Sequence, residues 1–523
     1  MSTSTTPASV ARSEQNGTRV SLLFGGLMLT MLLVSLNQTV LSPALPTIVG
    51  ELHGVDQMLW VITAFILAST ITMPVYGKLG DLFGRKNLLL IAISIFLVGS
   101  VVGALAGNMT WLIAGRVIQG LGGGGLMILA QAAIADVVPA RERGKYMGIM
   151  GGVFAFASVA GPLLGGWFTE GPGWRWVFWI NLPIGALAML AAALFLRLPK
   201  REQVRARIDT AGMATLGVAT TGIVLVATWG GSRYEWSSPT ILGLIALSLV
   251  TSVLFVVIER RAAEPVMPLH LFADRNFNLT TFAGLLTGIA MFGVLGYLPT
   301  YLQMVTGASA TKAGLLMIPM MGLMLVTSTV IGQLVSTTGR YKLSPIVGSV
   351  LVTVALVLLS SMKVGTPVWL ICCYIGVLGA GLGGILQLLV LIVQNSFPIE
   401  EVGTATASNN YFRQIGASLG SAVVGSVFAS RLADLLASRL PAGAGSGVGD
   451  AHSLTPSVVT ALPDSIRLPI VESYNEALAP IFLYMAPLTI VGAIVLCFVV
   501  EKPLATTIER ARPTETMETP PAP

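Results

Sequence analysis

The chain has 523 residues, of which 54% are hydrophobic and only 10% are charged, with a formal net charge of +6. A soluble domain carries about 25% charged residues, so the polar surface needed to hold this much apolar sequence in water is missing, and lipid is the solvent left. The apolar runs are unbroken and about 20 residues long, as spanning helices require, which excludes the short alternating segments of a membrane barrel.

Residues 1–19 are polar and rich in Ser and Thr, a predicted cytoplasmic tail too polar for a signal peptide. Apolar runs then predict spans near 20–42, 58–77, 88–107, 111–135, 146–168 and 176–196, inside a first half drawn at 20–200. Two more spans, near 210–230 and 239–258, make a predicted insert at 201–265. Six further spans fall near 278–301, 313–335, 344–361, 367–393, 404–430 and 478–500, in a second half at 266–500. Its longest connection, 431–477, is expected outside and holds the Gly/Ala/Ser-rich stretch from Pro441 to Gly449. Residues 501–523 form a second predicted cytoplasmic tail.

Basic residues set the expected orientation. With both termini in the cytoplasm, the inner segments hold Arg12, Arg19, Lys78, Arg85, Lys86, Arg141, Arg143, Lys145 and the cluster from Arg197 to Arg207. Arg260, Arg261, Arg275, Arg340, Lys342, Lys502, Arg510 and Arg512 join them, against Arg175, Arg233, Lys312, Lys363, Arg431, Arg439 and Arg467 outside. The bias is roughly three to one, as the positive-inside rule requires of a cell-membrane protein. It explains the sequence pI of about 9.3 without nucleic acid.

Cys372, Cys373 and Cys497 lie in apolar runs, and His53, His270 and His452 are far apart, so neither a disulfide framework nor a metal site is expected. No Gly-rich stretch ends in Gly-Lys-Ser/Thr, so ATP is not an expected partner. No cofactor and no nucleophile–base pair is indicated, and an enzyme is not expected. The tails carry no signalling domain that would suggest a receptor.

An internal repeat organises the spans. Gly77 to Arg85 and Gly332 to Arg340 both fit G-x-L-x-x-x-x-G-R, each after an apolar helix. Arg141-Glu142-Arg143-Gly144 and Glu400-Glu401-Val402-Gly403 follow in the same order and share Glu-x-Gly. The expected fold is all-α, with fourteen transmembrane helices arranged as six plus two plus six in pseudo-two-fold halves. Parallel halves of this kind place a transport site at the midplane.

The turn from Gly77 to Lys86 resembles the loop signature of the major facilitator superfamily. Leu112 to Gly120 resembles its fourth-helix motif, and Gly161-Pro162-Leu163-Leu164-Gly165-Gly166 the fifth-helix motif of its antiporters. Trp174 to Pro183 and Arg413 to Gly420 are similar to motifs of the fourteen-span drug:proton antiporter family. The ordered set covers the chain from the first span to the last, and implies a multidrug-efflux type of transporter.

The motif residues have readable chemistry. Asp81, between Lys78 and Arg85, is suited to accept from a helix N-terminus and to pair with a cation, a latch between halves. Arg116 lies inside a span, where a charge is expensive and usually faces a cavity or a partner, here with Gln119 one turn on. The resemblance implies a part for Arg116 in proton coupling or in anchoring the cavity. Gly161 and Pro162 mark a closely packed, bendable fifth helix. Asn37, Gln131, Gln387 and Asn410 are the polar residues expected to face a small-molecule substrate.

One position departs from the family. Members usually carry an acidic residue just before the Thr-x-x-x-x-Ala-Leu-Pro stretch of the first span, and here that place is taken by Asn37, which cannot ionise. No carboxylate falls near the centre of any predicted span, and Asp136, Asp81 or a loop carboxylate is the expected coupling group. Two functions follow: export of drugs or other amphipathic molecules by a lipid-embedded monomer using protons as coupling ion, or export or facilitated passage of a specific natural product, lipid or metabolite with atypical coupling or none.

Overall fold

A computed structural model describes residues 7–54, 57–196, 208–231, 233–439, 459 and 462–506. Among these described residues, fourteen helices are long and apolar enough to cross a membrane. They are α1 (Leu22–Glu51), α2 (Trp60–Phe83), α3 (Arg85–Ala104), α4 (Met109–Val137), α5 (Ala140–Glu170), α6 (Trp176–Phe195), α7 (Thr210–Trp229) and α8 (Pro239–Glu259). The second half follows as α9 (Arg275–Thr306), α10 (Lys312–Thr338), α11 (Leu343–Ser360), α12 (Val368–Gln394), α13 (Val402–Arg439) and α14 (Asp464–Cys497). Among the described residues the only β pairing is an isolated bridge between Gly230 and Tyr234.

Helix starts follow local chemistry. Asn108 accepts from the Trp111 amide at 3.0 Å to open α4, and Asp274 accepts from Phe277 at 2.9 Å to open α9. Ser238 caps α8 just before Pro239, whose missing N–H costs nothing in a first turn. Each half has its own apolar core: Leu33, Phe65, Phe96, Leu126 and Leu129 in the first, and Leu298, Leu356, Leu382, Ile481 and Phe482 in the second. The pair α7–α8 is peripheral. Leu242, Leu249, Val250 and Val253 of α8 stay uncovered by protein, the surface that lipid would solvate.

Small residues set the spacing inside each half. A β-carbon on Gly120 would lie 2.6 Å from the Phe65 carbonyl oxygen, and one on Gly122 2.5 Å from that of Ala92. In α12 the corresponding close approaches are Gly379 to Met320 and Gly383 to Met324. Dense packing of this kind replaces the hydrophobic effect as the force between helices in lipid.

All fourteen expected spans are present, but several ends differ. The helix that contains α1 begins at Pro7, within the expected tail, and runs to Glu51. The expected loop 431–477 is helical at both ends, since α13 runs to Arg439 and α14 begins at Asp464. These extensions are amphipathic, so mean hydropathy falls while the helix continues. Leu432, Leu436, Ile470 and Tyr474 are buried together, and Arg439 pairs with Glu476 at 2.6 Å. The stretch Pro441 to Gly449, His452, the half boundary at 200–201, the basic cluster Arg197 to Arg207 and the tail beyond 506 lie outside the described residues.

Candidate functional site

The two repeated turns lie at one end of the bundle, the basic end. The α2–α3 turn reverses through Gly84 at φ +88°, and the α10–α11 turn through Gly339 at φ +76°, left-handed positions that favour glycine. Each turn docks on the Glu-x-Gly element of the opposite half. A β-carbon on Gly77 would lie 2.7 Å from the Gly403 oxygen, and one on Gly332 2.3 Å from the Gly144 oxygen. Arg141 then donates to the carbonyls of Ser336 at 3.1 Å and Thr337 at 2.8 Å.

Asp81 is the centre of the first docking. Its carboxylate accepts from the Gly403 amide at 3.2 Å, the Thr404 amide at 2.6 Å and the Thr404 hydroxyl at 2.8 Å. The first turn of α13 thus presents its unpaired N–H groups to an anion, as helix N-termini do. Arg85 is 1% exposed on its side chain and bridges Asp81 at 2.8 Å and Asp136 at 2.7 Å. It also donates to the Ile399 carbonyl across the halves. Lys78 pairs with Glu264 at 2.6 Å, which ties the α8–α9 connection to the same turn.

Two polar clusters lie deeper. In the first half, Arg116 donates to the Val61 carbonyl at 3.0 Å and to Gln119 Oε1 at 2.8 Å, and its guanidinium stacks on Phe65 at 4.3 Å. Gln119 donates to Ser100 at 2.8 Å and to Asn37 Oδ1 at 3.3 Å, and Asn181 donates to Asn37 at 3.4 Å. Between the halves, Asn410 of α13 donates to Gln131 Oε1 of α4 at 3.1 Å, and Gln394 of α12 donates to the Gln131 carbonyl at 3.3 Å. Arg413 donates to Asn410 Oδ1. Gln131 Nε2, Gln387 Oε1 and Gln394 Oε1 are buried without a hydrogen bond.

At the opposite end, two of the crevices among the described residues lie between the halves. One, of about 420 Å³, is bounded by Ile62 and Thr63 of α2, Thr228 of α7 and Gln414, Ser418 and Ser421 of α13. The other, of about 450 Å³, is bounded by Pro43 and Thr47 of α1, Pro162, Trp167 and Glu170 of α5 and Leu315 of α10.

The expected site residues therefore divide. Asp81, Arg85 and Asp136 form one cluster. Gln131 and Asn410 meet each other, and Gln387 faces Gly151 of α5 across the halves. Asn37 does not line an interhalf cavity: it is 1% exposed inside the first half, because Gln119 and Asn181 draw its amide into their network. Arg116 reaches neither crevice, and its guanidinium is held within the first half. Gly161 packs where a β-carbon would meet the Thr39 hydroxyl at 2.0 Å, and Pro162 borders a crevice. Sequence reasoning missed Thr404, one residue beyond the second Glu-x-Gly. It also missed Arg143, which is buried and donates to the Val138 and Ala135 carbonyls, each at 2.9 Å, at the end of α4.

Two six-helix halves, pinned together by paired turns at one end and parted by crevices at the other, define a membrane transporter. Residues 27–421 match the profile of the Major Facilitator Superfamily, and the chain belongs to it. It is 41% identical to an uncharacterized MFS-type transporter of Mycobacterium tuberculosis over 93% of this chain and 70% of that one. It is 36% identical to the multidrug transporter protein MdtP of Bacillus subtilis, over 82% and 79% of the two chains. It is 32% identical to multidrug resistance protein 3 of the same organism, over 93% and 96%. The resemblance to fourteen-span drug exporters drawn from the motifs stands with these relatives. The fold also matches the human organic anion transporter MFSD10, with TM-score 0.62, 15% identity and coverage of 92% and 99%.

Proposed function

We propose that this chain exports amphipathic small molecules across the cell membrane by alternating access, with the basic end in the cytoplasm. The observation that carries this reading is the docking of Asp81 on the first turn of α13, which joins the halves at the basic end while crevices part them at the other. Rocking the halves would exchange that docking for contacts at the opposite end. The names of the relatives, multidrug transporter and multidrug resistance protein, support efflux as the direction. The chain acts as a monomer in lipid, and the substrate path runs past Gln131, Gln387 and Asn410.

Proton antiport is the proposed drive. Asp81 and Asp136 share one guanidinium, and undocking from Gly403, Thr404 and Ile399 opens that cluster to cytoplasmic water, where its carboxylates exchange protons. Asn37 favours a second reading, export without proton coupling, because the first span lacks the acidic residue its relatives usually carry there. Both readings are tested in a pump-deficient bacterial host. Expression should lower the accumulation of dyes, and a protonophore should restore accumulation only if protons drive export. Accumulation unchanged by expression, for dyes of every charge, would contradict efflux.

A further inference from the structure

Arg413 is a half-buried cation without a counter-ion among the described residues. It lies on α13 about 16 Å along the axis from Val402, at 1.5 Å per residue, close to mid-depth in a hydrocarbon layer of about 30 Å. Among the described residues it forms no ion pair, and Asn410 is its one hydrogen-bond partner. The side chain is only partly covered, and none of its other donors meets a protein acceptor among the described residues. Its neighbours are amides: Asn410, 1% exposed, holds Gln131 of the other half, and Gln131, fully buried, has a donor at Nε2 with no partner. One turn further along α13, Ala417 and Ser418 line the crevice between α2, α7 and α13. By contrast, Arg116 donates to the Val61 carbonyl and Gln119 and stacks on Phe65 within the first half.

An intramembrane charge that lacks an ionic partner and lies beside a cavity marks a substrate or ion path. We propose that Arg413, with the amide of Gln131, binds the anionic group of the substrate, so that the exported class is amphipathic organic anions such as carboxylates. A guanidinium suits that group because its fixed fork gives two parallel bonds to one carboxylate. This inference rests on the export reading and adds to it a charge class and a voltage dependence. An anion leaving a cell that is negative inside moves with the potential. For one charge, 100 mV corresponds to about a 50-fold ratio at equilibrium. A proton entering in exchange adds to that drive rather than opposing it.

The test uses the full chain in proteoliposomes at equal pH on both sides, with valinomycin and potassium gradients setting the potential. Fluorescein is the anionic probe and ethidium the cationic one. Wild type is expected to move fluorescein, faster when the potential repels the anion from its compartment and slower when the potential is reversed. Arg413→Gln should lower fluorescein transport about tenfold, the usual scale for one charge-assisted contact, with Arg413→Lys recovering part of it. Asn410→Asp keeps the arginine and neutralises it from within, so it should lower the ratio of fluorescein to ethidium transport even if Arg413→Gln does not fold. Ethidium moved while fluorescein is not, or fluorescein transport unchanged in Asn410→Asp and in folded Arg413→Gln, would overturn the anion site and leave export standing. Movement of neither probe under any gradient would overturn both.

Discussion

The Thr404 hydroxyl of the second half donates to the Asp81 carboxylate of the first at 2.8 Å, beside the amide of the same residue at 2.6 Å. Two halves with separate cores are thus joined through one carboxylate at a helix N-terminus. Hydrogen bonds to a charged group contribute about 1.5–3 kcal/mol each, so removing one should change the ratio of open to closed basic ends about tenfold or more. Thr404→Val keeps the volume and the amide but loses the hydroxyl. Spin labels at Phe83 and Glu400, both exposed at this end, should show a larger long-distance population in the variant. An unchanged distribution would mean that the hydroxyl does not hold the halves.

Close approach should matter as much as charge. A β-carbon on Gly77 would stand 2.4 Å from that of Ala407, and one on Gly332 2.3 Å from the Gly144 carbonyl oxygen. These neighbours belong to the opposite half, one a carbonyl and one a β-carbon that no side-chain rotation can move, so relief requires parting the halves. Gly77→Ala and Gly332→Ala should each lower transport about tenfold while the protein still folds, since each half keeps its own packing. Gly322→Ala, with nothing within 4 Å of the new carbon, should transport as wild type does.

Arg85 should be far less replaceable than either of its carboxylates. It holds Asp81 and Asp136 together from a side chain 1% exposed. Arg85→Gln removes from a covered site the guanidinium that both carboxylates share, and breaking such an arrangement costs about 3–5 kcal/mol. Asp136→Asn still leaves Arg85 paired with Asp81. Thermal unfolding in detergent should therefore show a clearly larger drop in Tm for Arg85→Gln than for Asp136→Asn.

Asn37 gives a test of coupling. Its Oδ1 already accepts from Gln119 and Asn181, so a carboxylate there would find donors waiting, with the Arg116 cation one hydrogen bond further on. Asn37→Asp should fold and should make transport more steeply dependent on pH than in wild type. A variant with an unaltered pH profile, in a protein whose wild type is already strongly pH-dependent, would place coupling wholly at Asp81 and Asp136.

Much of this was legible in the sequence. The spans were, because fourteen apolar runs leave little choice of solvent, and so was the chemistry of Asp81, which lies between cations in a glycine-rich turn. The repeats showed two turns and two Glu-x-Gly elements, but not that each turn docks on the element of the other half. That pairing is a relation between residues 77 and 403, and between 144 and 332, and no local pattern encodes it. Hydropathy missed the ends of α13 and α14 because amphipathic turns average out to polar. Asn37 was expected to face substrate because it is polar within a span. The structure gives its oxygen partners within the first half instead, and a single sequence does not distinguish an amide held inside one half from one that faces a path between them. Arg413 stood out in its motif, yet its lack of a counter-ion appeared only once its neighbours were placed.

The central claim, export by alternating access, is tested most directly by reconstituted transport with a pH step across the membrane. Proteoliposomes of the full chain, with dye at equal concentration on both sides and an inward proton gradient, should expel the dye and build up a dye gradient. Thr404→Val and Gly77→Ala should slow this movement, and a protonophore should collapse any part driven by protons. Dye movement no faster than in protein-free liposomes, for anionic and cationic dyes alike and with or without a potential, would contradict the account.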